Sequence, residues 1–439
     1  MIPNPMVVRS GPPPEAVVAH LGPVPGVAWL DGGSSAEGWS IIAMEPDRVL
    51  VDGEDWVRAS RSLMSPQRGT VEAPFVGGLI GYLGFGAGHR TAPVPAGPPS
   101  AEPEIWLARY DGAMCYRHCD RSWHLTGPPA LTDRFAELLA ATPHPLAPIG
   151  EAPPPTSPPT SVSRGEYEQS VERILEWIHA GDCYQVNLSR VVHVGVDHPE
   201  DAGFSAYRRL RRFDAPYGAF LRLAPDLDIM CNSPELLLAK DGRLAVSEPI
   251  KGTRPRGRDP ESDREQREAL LTSDKDAAEL TMIVDLVRND LARISETGTV
   301  RAASRKLMSL PTVFHTYRRV EATLRRTVDA FDALTALFPP GSVTGAPKIR
   351  ACRRIAELET EARGVYCGTI GYVSDHGQTT FNVAIRTGVV HRGEARYHVG
   401  GGVVASSEPA AEWDETQAKG AAWSSALGTP DQSSISKSS

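Results

Sequence analysis

The stretch VYCGTIGYVSDHGQTTFNVAIRTGVVHRGEARYHVGGGVVA, residues 365–405, decides the fold class. It reads as three strands, 365–374, 379–391 and 395–405, joined by turns at His376-Gly377 and Arg392-Gly393. In the second strand Phe381, Val383 and Ile385 share one face and Asn382, Ala384 and Arg386 the other. If the apolar set faces the core, Arg386 faces a cleft or water. An Arg fork there suits a carboxylate-bearing ligand, although solvent-facing strand arginines are common. Gly400-Gly401-Gly402 interrupts the third strand, which weakens a sheet and either admits close backbone approach to a ligand or marks a bulge.

Working outward, a final helix is predicted over 409–427, with Glu412 and Glu415 three residues apart. Upstream, a helix is predicted over 347–363, entered through Gly341-Ser342-Val343-Thr344-Gly345-Ala346, and an acidic helix over 274–294 that carries Glu279. Two Glu on separate helices suit a shared Mg²⁺, which asks for one or two carboxylates plus substrate oxygens and waters. Acidic residues near a helix start are also favoured by its dipole, and Glu415 with Lys419 makes an ordinary i,i+4 surface pair. A hairpin over 236–250 turns at Asp241-Gly242 and places Glu235 and Lys251 at its open end, as acid and amine or as an exposed salt bridge. His315 follows the apolar run 310–314 and reads as a base or as a hydrogen-bonded structural histidine. Ser163 and Glu166 form a capping box for a helix ending at Gly181, and a strand follows over 184–194, with Gln185, Asn187 and Ser189 on its polar face. Helix, strands, helices, strands, helix is an α+β order.

The chain divides at a Pro-rich tract, 146–163, between an N-terminal part over 1–145, with strand-like runs at 26–31, 40–43 and 105–116, and a larger part over 164–427. The polar tail 428–439 is expected to be disordered. With 439 residues, 41% hydrophobic, the chain can bury a large core, and no run reaches the roughly 18 apolar residues of a membrane span. No signal peptide is visible, so a cytoplasmic protein is expected. A net charge of -8 argues against nucleic acid as the main ligand. Six cysteines form no disulfide framework or zinc-site spacing, and none stands in the turn of a glutaminase nucleophile. No glycine run forms a P-loop. Lysine is scarce, seven of the 46 basic residues, so a retained lysine hints at a need for a deprotonatable amine.

Six ordered motifs are collectively familiar: 181–188 (GDCYQVNL), 233–235 (SPE), 249–257 (PIKGTRPRG), 282–290 (MIVDLVRND), 345–348 (GAPK) and 381–387 (FNVAIRT). Together they resemble the chorismate-utilising enzymes, over nearly all of 164–425. Residues 1–145 resemble that family's non-catalytic half more loosely, through Trp29-Leu30-Asp31 and Gly81-Tyr82-Leu83-Gly84. The resemblance implies an anthranilate-synthase-component-I-like fold, large antiparallel sheets packed as a sandwich with surrounding helices. Family members that activate water carry a lysine base where Gln185 stands, and a neutral amide cannot serve as that base. Pro-Ile-Lys-Gly-Thr at 249–253 matches aminodeoxychorismate synthase large subunits, whereas anthranilate synthases generally have Ala at the Lys251 position. The resemblance thus implies conversion of chorismate and ammonia to 4-amino-4-deoxychorismate for para-aminobenzoate and folate synthesis, with ammonia from a separate glutamine amidotransferase subunit. It gives Lys251 the role of nucleophile, Glu235 that of proton donor and His315 a role around pyruvate loss. Gln185, Thr344, Tyr366, Arg386, Gly400, Gly401, Gly402 and Lys419 would line the substrate, and Glu279 and Glu415 would hold Mg²⁺. Residues 29–33 lack the Leu-Leu-Glu-Ser pattern of tryptophan-inhibited members, which speaks against that feedback. Anthranilate synthase component I is the alternative enzyme, and a non-catalytic chorismate-binding subunit the alternative of another class.

Overall fold

Strands that are apolar on both faces need cover on both, and here one face packs on a second sheet and the other under helices. The computed structural model describes residues 4–33, 38–67, 69, 71–156 and 159–429. Among them, strands form an antiparallel sheet of eleven, a second of nine, and a separate ribbon of three. Ala28, Ala219, Leu221 and Ile229 of the larger sheet meet Ile80, Tyr82, Trp106 and Ile370 of the smaller one. One residue along the same strands, Trp29, Phe220 and Met230 point outward onto Val17, Phe135, Tyr207 and Trp423 of the covering helices. The outer face of the nine-stranded sheet lies under Trp56, Leu280, Val284, Phe331 and Leu334. The fold is therefore α+β, in helix, sheet, sheet, helix layers, as expected.

The expected strand 379–391 is two strands. Thr379–Asn382 pairs with Leu236–Asp241 in the nine-stranded sheet, and Thr387–His391 with Leu227–Ser233 in the eleven-stranded one. Residues 383–386 cross between the sheets, and Arg386 takes a positive φ of 52°. Alternation therefore does not set the direction of Arg386. The apolar pattern runs on because both arms are buried in the same sandwich. The run 105–116 breaks in the same way, into Ile105–Tyr110 and Met114–Arg117. Pro234-Glu235 is a third crossing, between Leu227–Ser233 and Leu236–Asp241. The 234–235 and 383–386 crossings are bonded to each other: the Val383 N–H donates to the Glu235 carbonyl at 2.9 Å and Ser233 Oγ to the Val383 carbonyl at 2.6 Å.

Both sheets run across the Pro-rich tract. Val27–Asp31 pairs with Tyr217–Ala224, and Gly78–Leu83 with Thr369–Ser374. The divisions at 145 and 163 thus mark composition, while residues 1–145 and 164–427 build the same two sheets. Residues 430–439 of the expected disordered tail lie outside the described residues. The helix expected over 347–363 is Lys348–Leu358. Its buried face, Ala351, Cys352 and Ile355, runs out there, and Glu359 turns extended with its carboxylate bonded to Ser189 and Arg363. The capping box at Ser163 and the final helix Pro409–Leu427 form as expected.

Candidate active site

The three-stranded ribbon carries Lys251 and His315. Strand Ile250–Pro255 pairs with Val313–Tyr317, Lys251 opposite Thr316 and Thr253 opposite His315. Thr316 Oγ1 donates to the Lys251 carbonyl at 2.6 Å. The register shifts at Gly252, whose φ of 75° suits glycine, and a Cβ there would stand 2.8 Å from Leu270 Cδ1. The Lys251 amine reaches toward the glycine run: a Cβ on Gly402 would meet Lys251 Nζ at 3.4 Å and Gln185 Nε2 at 2.6 Å. Glycine at 402 is what lets the amine and the amide converge there.

Glu235 sits at its sheet crossing, 3% exposed, and takes the Ile250 N–H on Oε1 at 3.4 Å. Burial pushes its carboxyl up to about 7, against a hydrogen bond from Ser342, the Lys251 charge and the Ile250 N–H. Burial likewise pushes the Lys251 amine down, against attraction first of all from Glu279. No carboxylate among the described residues lies within ion-pair distance of Lys251, so the exposed salt bridge is not what forms. An acid raised toward neutrality thus lies in the field of an amine eased toward its neutral form.

His315 is buried with both ring nitrogens engaged. Arg386 Nη2 lies 3.0 Å from Nε2, and Thr253 Oγ1 lies 2.9 Å from Nδ1. A guanidinium only donates, so Nε2 accepts and Nδ1 carries the proton. Burial and the Arg386 charge hold the imidazole down at about 3, hence neutral. In this arrangement His315 has no free nitrogen for a base, and its visible work is to hold Arg386. Burial also lowers the Arg386 guanidinium to about 10, and no described carboxylate pairs with it.

The carboxylates come from two helices, Asp274–Ala292 and Pro409–Leu427. Burial raises Glu279, opposed first by Lys251, and Glu415 adds to the rise. Lys419 bonds Glu415 at 2.6 Å, holding it below its ordinary value, and also donates to the Gly400 carbonyl at 2.8 Å. Glu412 faces Gly401, with Oε2 buried and unpartnered. Among the described residues no group of three or more His, Cys, Asp or Glu side chains is placed to hold a metal ion. A pair of carboxylates still fits Mg²⁺, whose remaining positions go to water and substrate.

Gln185 is fully buried and neither atom of its amide has a protein partner among the described residues, which leaves both open to water or a ligand. The Thr344 hydroxyl donates to the Pro340 and Gly341 carbonyls at 3.0 and 3.3 Å, so its visible role is to shape the loop. The Tyr366 ring stacks on His398 at 5.1 Å in a small cavity that Thr387 also lines. Sequence reasoning missed Ser342 and Thr253, although both stand inside quoted motifs where a hydroxyl among glycines was the signal. It also gave no work to Asp290 and Lys348, which pair at 2.6 Å and join two helices.

A family pattern described as chorismate binding enzyme matches residues 31–425. The anthranilate synthase component 1 of Pseudomonas putida is 37% identical over 381 residues, 82% of this chain and 76% of that protein. The aminodeoxychorismate synthase component 1 of Klebsiella aerogenes is 38% identical over 348 residues, 78% of this chain and 75% of that protein. The crystal structure of anthranilate synthase component I from Streptococcus pneumoniae TIGR4 superposes with a TM-score of 0.75 at 30% identity, covering 87% of this chain and 91% of that one.

Proposed function

The chain belongs to the chorismate-binding enzymes, and from that premise we propose that it is an aminating member that makes 4-amino-4-deoxychorismate from chorismate and ammonia. Relatives of both the anthranilate and the aminodeoxychorismate type match at similar identity, so the reading rests on residues. The observation that carries it is the half-buried Lys251 amine set against Gln185 and Gly402, with the raised carboxyl of Glu235 within its field. The neutral Lys251 amine adds to C2 of chorismate as the ring double bonds shift and the C4–O bond breaks. Glu235 gives its proton to the departing hydroxyl, which leaves as water. Ammonia then attacks C4, the double bonds shift back, Lys251 leaves C2 as the neutral amine, and the surplus proton on the new C4 ammonium returns to Glu235. Arg386, held by His315, takes a substrate carboxylate, and Gln185 offers its amide without acting as a base.

Glu279 and Glu415 would hold Mg²⁺, which supplies charge neutralisation for a ring carboxylate when bound. Ammonia would come from a separate glutamine amidotransferase, and the product would feed para-aminobenzoate and folate synthesis in the cytoplasm. Both nitrogens of His315 are engaged, which supports retention of the enolpyruvyl group over anthranilate formation. The experiment is to incubate the purified chain with chorismate, Mg²⁺ and either ammonium or glutamine, then identify the product by mass. The 4-amino isomer from ammonium alone is expected. Anthranilate would give the alternative enzyme, and chorismate binding without turnover the non-catalytic subunit.

A further inference from the structure

Arg363 and Glu359 lie beneath the site. Arg363 is 4% exposed, and Nε and Nη2 donate to the two Glu359 oxygens, each at 2.7 Å. Such a buried pair gives little net stability over an apolar replacement, so its other bonds are informative. Nη1 donates to the Val343 carbonyl at 2.9 Å and Nη2 also to the Asn187 carbonyl at 2.8 Å. Glu359 Oε1 takes Ser189 N–H and Oγ at 2.8 and 2.9 Å. Phe85 lies under the guanidinium at 4.5 Å. The Cys367 thiol also lies against the guanidinium. Both carbonyl acceptors, and Ser189, belong to one of two segments. One is the loop 341–346, which carries Ser342 to Glu235. The other is strand Gln185–Gly195, which carries Gln185. The two segments are also bonded directly, Asn187 N–H to the Thr344 carbonyl at 2.8 Å.

We propose that Arg363 and Glu359 are a positioning pair that fixes the Ser342 loop against the Gln185 strand, so that the acid Glu235 and the amide Gln185 keep their places around Lys251. This rests on the amination reading for its kinetic consequences. The planar guanidinium is what the geometry demands, since one ammonium cannot reach two carboxylate oxygens and two carbonyls on separate segments. The Ser342 hydroxyl favours the ionised Glu235 carboxyl against its burial. Releasing the loop therefore moves Glu235 upward and extends activity to higher pH in whatever protein remains active.

The test compares Arg363→Lys, Glu359→Gln and Ser342→Ala with the wild type in full-length protein, with chorismate, ammonium and Mg²⁺. Arg363→Lys and Glu359→Gln are expected to lower kcat about 10- to 100-fold, with KM changed by under about threefold, because misplacement of reacting groups is costly. Their alkaline limb should move to higher pH. Their 185–190 and 341–346 peptides should lose hydrogen-exchange protection while the outer helices keep theirs. Ser342→Ala should move the same limb with exchange protection intact, which separates a lost bond from a released loop. A folded Arg363→Lys protein with wild-type kcat, limb and exchange overturns the proposal, as does uniform loss of protection. If the wild type itself does not aminate chorismate, the amination reading fails and the exchange pattern alone decides the positioning pair.

Discussion

Lys251 and Lys348 both stand in specific motifs of an arginine-rich chain, and the fold treats them in opposite ways. Lys348 donates to Asp290 at 2.6 Å and to the Leu337 carbonyl at 3.2 Å, tying two helices together. Lys251 has burial, an attractive field from Glu279 and no ion pair among the described residues. The arginines repeat the contrast. Arg222 is forked onto Asp228 at 2.7 Å and Arg363 onto Glu359, while among the described residues the Arg386 side chain meets neutral His315 and no carboxylate. Arg190 also has no carboxylate, yet gives its N–H groups to Thr416, Ser161 and Gln417. A desolvated cation without compensation costs several kcal/mol, so Lys251 and Arg386, half-buried and with neither a carboxylate nor a set of neutral acceptors among the described residues, are those whose partner arrives with a ligand.

The contrast breaks most visibly at the two lysines. Lys251→Ala should lower turnover by at least about 10³-fold while leaving stability equal or higher, because a nucleophile is lost and a desolvated amine removed. Lys251→Arg should be no better, since a guanidinium cannot be deprotonated. Lys348→Ala should do the reverse, destabilising by about 1–3 kcal/mol as Asp290 loses one of its two cations and keeps Arg293 at 3.1 Å, while the folded fraction keeps its kcat. Urea melts beside steady-state rates check both, and an inactive but fully stable Lys348→Ala protein would dissolve the comparison. Next come the acids whose field bears on Lys251. Glu279→Gln or Glu415→Gln should lose about 10²-fold or more in turnover, since each removes one charge from the Mg²⁺ pair at constant size. Undiminished turnover by both variants in chelator would remove the metal from the account.

The layers and the chemistry were unequally legible in the sequence. A short apolar run marked the strand at 26–31, alternation marked 395–405, and Ser163 with Glu166 marked a helix start, because those signals are local. The crossings at 111–113 and 383–386 were hidden, because a strand buried in either sheet of one sandwich keeps the same apolar pattern. That hid the direction of Arg386, which depends on a positive φ no periodicity announces. The convergence of Lys251 with Gln185 came from recognising motifs, as spacing alone does not bring residues 185, 251 and 402 together. The engagement of both His315 nitrogens was illegible for the same reason: its partners, Thr253 and Arg386, are 62 and 71 residues away.

A smaller effect sharpens the contrast at Arg386. Removing a charge-assisted bond to a substrate carboxylate costs about 2–3 kcal/mol, so Arg386→Met should raise the KM for chorismate roughly 30- to 160-fold with a lesser change in kcat. His315→Ala removes one bond that orients the guanidinium, about 1 kcal/mol, and should raise KM only about fivefold with the product unchanged. A large fall in kcat with KM intact would instead give His315 a part in the chemistry.

A separate effect concerns Glu235, the acid counterpart of the unpaired cations, and it is read in stability alone. Its carboxyl is raised from 4.5 to about 7 by burial, so the folded state holds a proton that the unfolded chain releases near 4.5. A raised folded value means that this contribution is fully present below pH 4.5 and is lost as pH climbs through about 7. The shift corresponds to at most about 3 kcal/mol. Glu235→Gln keeps the shape and cannot ionise. It should therefore match the wild type near pH 4.5 and become the more stable protein by pH 8, with a flatter stability profile between. Lys251 works against the effect, since its charge favours ionised Glu235, so the double variant Lys251→Met/Glu235→Gln should gain more over Lys251→Met than Glu235→Gln gains over the wild type. Urea denaturation of the four proteins at pH 5 and pH 8 measures both differences. Equal stabilities of wild type and Glu235→Gln at pH 8 would mean that Glu235 ionises freely in the folded state, and that no proton is stored at this crossing for the departing hydroxyl.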